Sequence, residues 1–532
     1  MPQPSARVPL AKANHVGADE RRYDDFYAAL LAIMPRHRLV RDPLRRLAYG
    51  TDASFYRLVP QLVVIVESET EVQALLHLCR RFSLPVTFRA AGTSLSGQAV
   101  TDSVLAVLGD GWNGLTIGSD AATIRLQPGV IGGEANRRHA CFGRKIGPDP
   151  ASINAAKIGG IVANNASGMC CGTAQNSYRT LQSMRLVLAD GTLLDTADAE
   201  SRAAFASSHG DFLRRLDDLG QRVRADQPLA ERIRHKFAIK NTTGYSLNAL
   251  VDFDDPFEIL QRLMVGSEGT LGFIAAVTYR TVPEYADKSS ALLLFPSLDE
   301  ACQAVIRLKS SPVSAVELID RASLRSIENR PGMPEGIKGL DAGVTALLVE
   351  TRAADPESLG AQVDVITQAL QGLRTLRSAD FTARAEEYER YWNIRKGLFP
   401  SIGAMRRTGT TVVIEDVAFP VPRLAEAAAE LQTLCNAHGY HEAILFGHAL
   451  EGNLHFVFTP DFGAPAEVDR YRRFMDAVCD MVVHKYDGSL KAEHGTGRNI
   501  APFVELEWGK QAYELMREIK DLFDPEQRLN PG

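Results

Sequence analysis

Residues Val86 to Val100 read VTFRAAGTSLSGQAV, a short strand-forming run that breaks into a loop of small side chains. Gly92, Ser94, Ser96 and Gly97 let successive backbone N–H groups face one ligand at close range, which is how such a loop cradles a diphosphate. The loop matches neither G-x-x-x-x-G-K-S/T nor G-x-G-x-x-G, which argues against a P-loop and against a Rossmann site. A second element, IGPDPASINAAKIGGIVANNASG, follows at Ile146 to Gly168. Pro148 and Pro150 bracket Asp149 in a stiff extended turn, and Gly159, Gly160 and Gly168 surround Asn164 and Asn165. Backbone and amide groups can therefore come close to a flat ring.

RAAGTSLSG, GPDP, IGGIVANNASG and then VGSEGTLGFI (Val265 to Ile274) occur in one order. Over nearly its whole length the chain resembles the vanillyl-alcohol-oxidase-like FAD-binding flavoenzymes, which carry these motifs in that order. The resemblance implies an α+β protein: a PCMH-type FAD-binding domain of two α/β subdomains, plus an antiparallel-sheet cap domain with helices on one face. It also implies which residues hold FAD. These are Arg89, Ala91, Gly92, Thr93, Ser94, Leu95 and Gln98 in the first motif, then Pro148, Asp149 and Ser152. Gly159, Gly160, Asn164, Asn165 and Gly168 follow, then Glu268, Gly272 and Ile274, with Asn530 near the end of the chain. No histidine lies between Arg89 and Gln98, so noncovalent FAD is expected.

The chain has 532 residues, 45% hydrophobic and 23% charged, enough to bury sizeable cores. A formal net charge of -6 and a pI near 6.1 argue against a nucleic-acid partner. Seven cysteines, Cys170 and Cys171 adjacent and no C-x-x-C, indicate neither a disulfide framework nor a zinc or iron–sulfur cysteine motif. Reduced thiols in a cytoplasmic protein are expected, and peripheral contact with the inner membrane is left open. The first residues, MPQPSARVPLAKANHVGADERR, lack an apolar core and read as a loose arm rather than a signal peptide. The longest apolar run, Phe26 to Met34, is too short to span a bilayer and reads as a buried helix ended by Pro35.

Strand and helix periodicities alternate from LVVIV through ETEVQALLHLCRRF to PVTF, a β-α-β start. LQSMRLVLADGTLLDT reads as two strands joined at Asp190–Gly191. Residues 197–240 read as a polar helical insertion over the cofactor edge. After Pro283 a strand with a crossing helix occurs three times, the pattern of an antiparallel sheet with a helical layer. The expected domains are therefore 1–59, an arm with helices; 60–284, the FAD-binding unit; 285–480, the cap; and 481–532, a helical return to the FAD unit.

Of twelve histidines, six lie between His438 and His494. AILFGHALEGNLHFVF reads as a hairpin turning at Glu451–Gly452, which sets 448 opposite 455 on one face. His448 and His455 with a carboxylate suit zinc or manganese. The carboxylate candidate is Glu493 in SLKAEHGTGRN. If that segment is extended, its neighbour His494 points the other way, toward substrate, as a general base.

GHALEGNLH followed by AEHGTG resembles the FAD-linked D-2-hydroxyacid dehydrogenases, the group of D-lactate and D-2-hydroxyglutarate dehydrogenases. The resemblance implies a metal held by His448, His455 and Glu493. It implies too that His494 takes the hydroxyl proton while hydride passes to flavin, and that Arg395 in YWNIRKGLFPS grips the substrate carboxylate. Shorter members place a lysine just before the Asp of the segment matching VVIEDVAFP, to hold a second carboxylate. Here Ile414 or Glu415 stands there, leaving Arg406 and Arg407 as candidate replacements or plain surface cations. The stretch KAEHGTGRNIAPFVELEWG and the stop at LNPG look most like larger bacterial members with a following iron–sulfur region. Electrons then pass to such a region or to a separate partner such as a quinone or cytochrome, and a homodimer is compatible. The alternatives are a flavoprotein oxidase using oxygen, a non-redox FAD transferase of the alkyl-ether-lipid synthase type, and a module without chemistry.

Overall fold

The computed structural model describes residues 16–330 and 333–531, so most of the expected N-terminal arm lies outside the described residues. The helix Val16–Leu31 buries Phe26 and Leu30, and Met34 is buried just before Pro35. Four strands form the first sheet: β1 (Leu39–Val40), β2 (Leu62–Val66), β3 (Val86–Arg89) and β4 (Val104–Leu108), in the order β1-β2-β4-β3. β2 and β3 both run parallel to β4, which requires the crossover that the helix Glu69–Arg81 supplies. Ser68 caps that helix through the Glu71 N–H, and Val72, Leu75, Leu76 and Cys79 form its buried stripe.

β5 (Leu115–Ile117), β6 (Thr123–Leu126), β8 (Leu181–Val187), β9 (Leu193–Asp195) and β10 (Phe273–Arg280) make an antiparallel second sheet in the order β5-β6-β10-β8-β9. β8 and β9 are the hairpin expected at Asp190–Gly191, and Gly191 has φ 88°. β7 (Arg144–Lys145) pairs with β11 (Val282–Pro283) in a short ribbon. One expectation needs correcting. The helices within 199–236 pack with the C-terminal helix Val504–Phe523 in one apolar core, Leu216 and Val223 beside Leu515 and Ile519. None of residues 197–240 lines the cofactor cleft, because their apolar stripes are taken up by that helix.

The third sheet has six strands, β12 (Asp287–Phe295), β13 (Ala315–Ile319), β14 (Thr345–Ala353), β15 (Val413–Ala418), β16 (Ile444–His448) and β17 (Asn453–Phe458). Their order is β12-β14-β13-β16-β17-β15, with every pair antiparallel. Alternation divides its side chains. Leu293, Leu318, Leu347 and Phe456 face a core shared with the helices Leu298–Leu308, Leu424–Ala437 and Pro465–Asp480. Leu294, Ile319, Ile414 and Phe446 face the other way, where the helices Arg321–Ile327 and Ala385–Met405 cover part of the sheet. The helical layer expected on one face is thus joined by two helices on the second, and the longer of these carries Arg395. The chain end returns to the first sheet, where Val86 N–H donates to Arg528 O and Asn530 N–H to Val86 O.

Candidate active site

A cleft of about 1030 Å³ runs from the Val86–Val100 loop and the Ile158–Asn164 helix to the open face of the third sheet. That is at the top of the range for small-molecule sites, as a dinucleotide requires. Its wall includes Arg89, Ala91, Gly92, Thr93, Ser94, Leu95, Gln98, Asp149, Ser152, Gly159, Gly160, Asn164, Glu268, Gly272 and Ile274. Pro148, Asn165, Gly168 and Asn530 are not on that wall. Asn165, at φ 52°, closes the Ile158–Asn164 helix and accepts the Tyr178 N–H. A side chain at Gly168 would strike the Asp149 carbonyl, and Asn530 braces the first loop by donating to the carbonyls of Gln98 and Glu268.

Several of the motif side chains are used for bracing. Arg89 donates to the carbonyls of Tyr49 and Thr51 and lies against Gly92. The amide of Asn164 donates to Glu493 O at 2.7 Å, and Gln98 donates to His494 O at 2.8 Å and to Glu268 at 2.9 Å. Between them sits Gly495 at φ 76°, where a Cβ would meet Glu268, Asn164 and Gln98 at 2.0 to 2.8 Å. The cofactor loops therefore clamp the Glu493–Gly495 backbone into the cleft. Burial pushes the Glu268 carboxyl up to about 7 against the opposing Gln98 and Gly497 hydrogen bonds.

On the sheet, alternation puts Glu317, His448, His455 and Asp416 on the cleft face, with Glu317 paired to His448 and Asp416 to His455 in backbone register. The expected pairing of 448 with 455 is corrected. His455 pairs with Phe446, because Ala449–Glu451 form a 3₁₀ turn ended by Gly452 rather than a two-residue hairpin. The slip is two residues, so the face is unchanged, and the two rings lie 5.2 Å apart at 88°.

His448 Nε2 lies 3.0 Å and His455 Nε2 3.4 Å from Glu493 Oε1. Around a tetrahedral zinc with bonds of 2.0–2.1 Å, neighbouring ligand atoms stand roughly 3.3 Å apart, so the three groups fit such an ion. The protonation states differ among the three: burial would lower His448, but Glu317 and Glu493 hold its imidazole above the ordinary range, so a cation there would displace a proton. Burial holds His455 down at about 4, a neutral imidazole. Burial alone would raise the Glu493 carboxyl, but Lys240 and His448 bring it well below the usual range. Lys240, itself buried, donates to Glu493 Oε2 at 2.7 Å, and Ser167 donates there at 3.1 Å. A second cluster, Asp416, His455 and His494, shares His455. Its Asp416 accepts the Glu493 N–H through Oδ2 at 2.7 Å, and Oδ1 has no hydrogen-bond partner among the described residues.

The expectation that Glu493 and His494 serve opposite sides of an extended segment is also corrected. Residues 492–494 form a bend, not an extended run, and both side chains pack on His455. Glu493 reaches its Nε2, and His494 stacks on its ring at 5.0 Å and 16°. His494 Nδ1 lies 3.2 Å from Asp416 Oδ1, within ion-pair distance, but neither atom has a hydrogen-bond partner among the described residues. Arg395 is buried over the Phe446 ring at 4.4 Å, and its Nε donates to Glu317 at 2.6 Å.

Glu317, Lys240 and Asp416 were not assigned roles from the sequence. A lone glutamate inside the apolar strand AVELI was the one available signal for Glu317. Lys240 in AIKNTTGYS gives none. Arg406 and Arg407 are exposed, Arg407 lying 3.7 Å from Asp461, and neither lines the cleft. Ile414 lines it, while Glu415 points to the other side, onto Lys491 and Asn499.

The acid limb of stability follows from these carboxylates. Burial would raise Glu317, but His448 and Arg395 bring it to about 2, against 4.5 unfolded. Glu493 moves the same way. Their contribution is complete above about pH 4.5 and is lost as pH falls from there toward 2. The thermal midpoint, scanned from pH 6 to 3, is expected to drop most steeply below 4.5, and Glu317→Gln to flatten that drop.

Comparison with known proteins agrees with this geometry. The family model "FAD binding domain" matches residues 60–197, and "FAD linked oxidases, C-terminal domain" matches 285–532. Glycolate oxidase subunit GlcD of Bacillus subtilis (strain 168) is 25% identical over 495 residues, 92% of each chain. D-2-hydroxyglutarate dehydrogenase of Pantoea ananatis is 27% identical over 513 residues, 92% of this chain and 49% of that one. The chain thus spans about half the length of that relative. A probable mitochondrial D-lactate dehydrogenase of Danio rerio is 26% identical, covering 91% and 86%. Two solved structures share the fold: p-cresol methylhydroxylase, TM-score 0.69 at 13% identity over 96% of each chain, and alkyldihydroxyacetonephosphate synthase, TM-score 0.63 at 15% over 96% and 86%. No helix among the described residues is long and apolar enough to cross a membrane. With an FAD-binding domain followed by the C-terminal domain of the FAD-linked oxidases, the chain belongs to the FAD-linked oxidoreductases.

Proposed function

We propose that the chain oxidises a D-2-hydroxy acid to the 2-oxo acid. The observation that carries this is the convergence of His448, His455 and Glu493 beside Arg395 and His494, in the cleft that the FAD motifs line. When bound, FAD takes up the hydride, and a divalent ion held by His448, His455 and Glu493, zinc by its ligand set, makes the hydroxyl more acidic. Arg395 offers a flat fork of donors for the substrate carboxylate. His494, beside Asp416, accepts the hydroxyl proton. The names of the relatives, a glycolate oxidase subunit and D-lactate and D-2-hydroxyglutarate dehydrogenases, support the substrate class. An electron acceptor outside this chain completes the cycle.

The wall beside the histidines has an apolar part. Ile414 and Phe446 form it, Glu415 faces away, and Arg406 and Arg407 lie outside the cleft. A second carboxylate placed there would lose hydration against these apolar groups, and Lys396, which lines the same cleft next to Arg395, is the cation that could meet it. Purified protein is expected to be yellow and to release FAD on acid denaturation. Mixed anaerobically with glycolate and with D- and L-forms of lactate and 2-hydroxyglutarate, its flavin band should bleach with D-forms and not with L-forms, and the ratio of D-lactate to D-2-hydroxyglutarate reads whether the apolar wall or Lys396 meets the side chain. Bleaching by none of these acids would end the proposal, and rapid reoxidation in air would favour an oxidase over a dehydrogenase.

A further inference from the structure

Glu317 occupies the middle of the third sheet, with no exposed surface, directly opposite His448 in backbone register. Each of its oxygens has one partner. His448 Nδ1 donates to Oε1 at 2.6 Å, and Arg395 Nε donates to Oε2 at 2.6 Å. The guanidinium lies against the Phe446 ring at 4.4 Å, and Phe446 comes from the same strand as His448. The ring thus supports the guanidinium and Glu317 fixes the direction of its Nε. The two terminal nitrogens form no hydrogen bond to any described residue, so their edge is left for a carboxylate. On the other side, the bond to Nδ1 fixes the His448 tautomer that leaves Nε2 directed at His455 and Glu493.

We propose that Glu317 is a positioning residue that spaces the two halves of the site, so that the cleft takes a carboxylate and a hydroxyl on adjacent carbons. This rests on the function proposed above. One rigid carboxylate bridges the cation that binds the acid group and the imidazole that binds the metal. Neither can shift without the other, and a substrate whose hydroxyl stands one carbon further out meets a mismatch. A buried carboxylate serving only stability would need partners too, but it would not couple two binding events.

Glu317→Gln tests the coupling at nearly constant volume. His448 and Arg395 use different oxygens of Glu317, so in the amide one of them faces an NH2 group instead of an acceptor. In the FAD-loaded protein, zinc affinity measured by chelator competition is expected to fall 10- to 100-fold. The KM for the D-2-hydroxy acid that bleaches the parent should rise by a similar factor. Discrimination between D-lactate and D-3-hydroxybutyrate should narrow, with FAD content unchanged. Arg395→Gln provides the second arm. Arg395 is not among the metal-binding groups, yet its loss is expected to shift zinc affinity several-fold through Glu317. Zinc affinity within twofold of the parent in both variants overturns the inference, and so does an unchanged Arg395→Gln affinity if Glu317→Gln fails to fold. If the parent bleaches with no hydroxy acid, the proposed function fails, while the zinc measurements still decide whether Glu317 couples the two groups.

Discussion

Replacing His494 by asparagine is expected to slow reduction of the flavin by substrate by roughly 10² to 10⁴, the range lost with a general base. The effect should fall on the reductive step alone. His494 is not one of the three groups that converge near Glu493 Oε1, so zinc content should stay at the parental level. Its backbone carbonyl still accepts from Gln98, so the clamp on the 493–495 segment survives and FAD should remain bound. Anaerobic stopped-flow absorbance of the flavin band measures the step directly. A variant that bleaches at the parental rate would assign the proton to another group, with Asp416 at 3.2 Å the nearest alternative.

His455→Ala is expected to cut turnover by about 10³, the several kcal/mol supplied by an electrophile at a developing alkoxide, with the flavin spectrum preserved. Chelation of the parent should reproduce the loss, and added zinc should reverse it in the parent but not in the variant. Turnover that survives both treatments would remove the metal from the proposal. His455 is a cleaner target than Glu493. Removing the Glu493 charge would leave Lys240 buried at 2.7 Å from a lost partner, and an uncompensated buried charge costs about 3–5 kcal/mol. A folding defect would then be mistaken for a catalytic one.

The hairpin around His448 illustrates how far local pattern reaches. Counting outward from a turn at Glu451–Gly452 puts both histidines on one face, and that face stands because parity survives any even slip in register. The turn itself was misjudged, since Leu450 and Glu451 could equally continue a strand or close a 3₁₀ turn, and Gly452 with φ 63° decided for the latter. The Glu493–His494 pair failed for a related reason. Whether neighbours point apart depends on the backbone being extended, and here the Asn164, Gln98 and Asp416 hydrogen bonds bend it. Helices 199–236 were placed over the cofactor edge because nothing in an amphipathic stripe names its partner, and the C-terminal helix took it.

By itself the sequence determined the FAD-binding class, the strand and helix succession and the cluster of histidines late in the chain. These are local properties: small-residue loops, periodicities, and side chains a few positions apart. Only the tertiary structure decided that Lys240, Glu317 and Asp416 surround those histidines, and that the cofactor loops hold the segment carrying Glu493. Those contacts join residues 77 to 396 positions apart. Partners at such separations are chosen by the packing of sheets and helices, and no spacing along the chain encodes them.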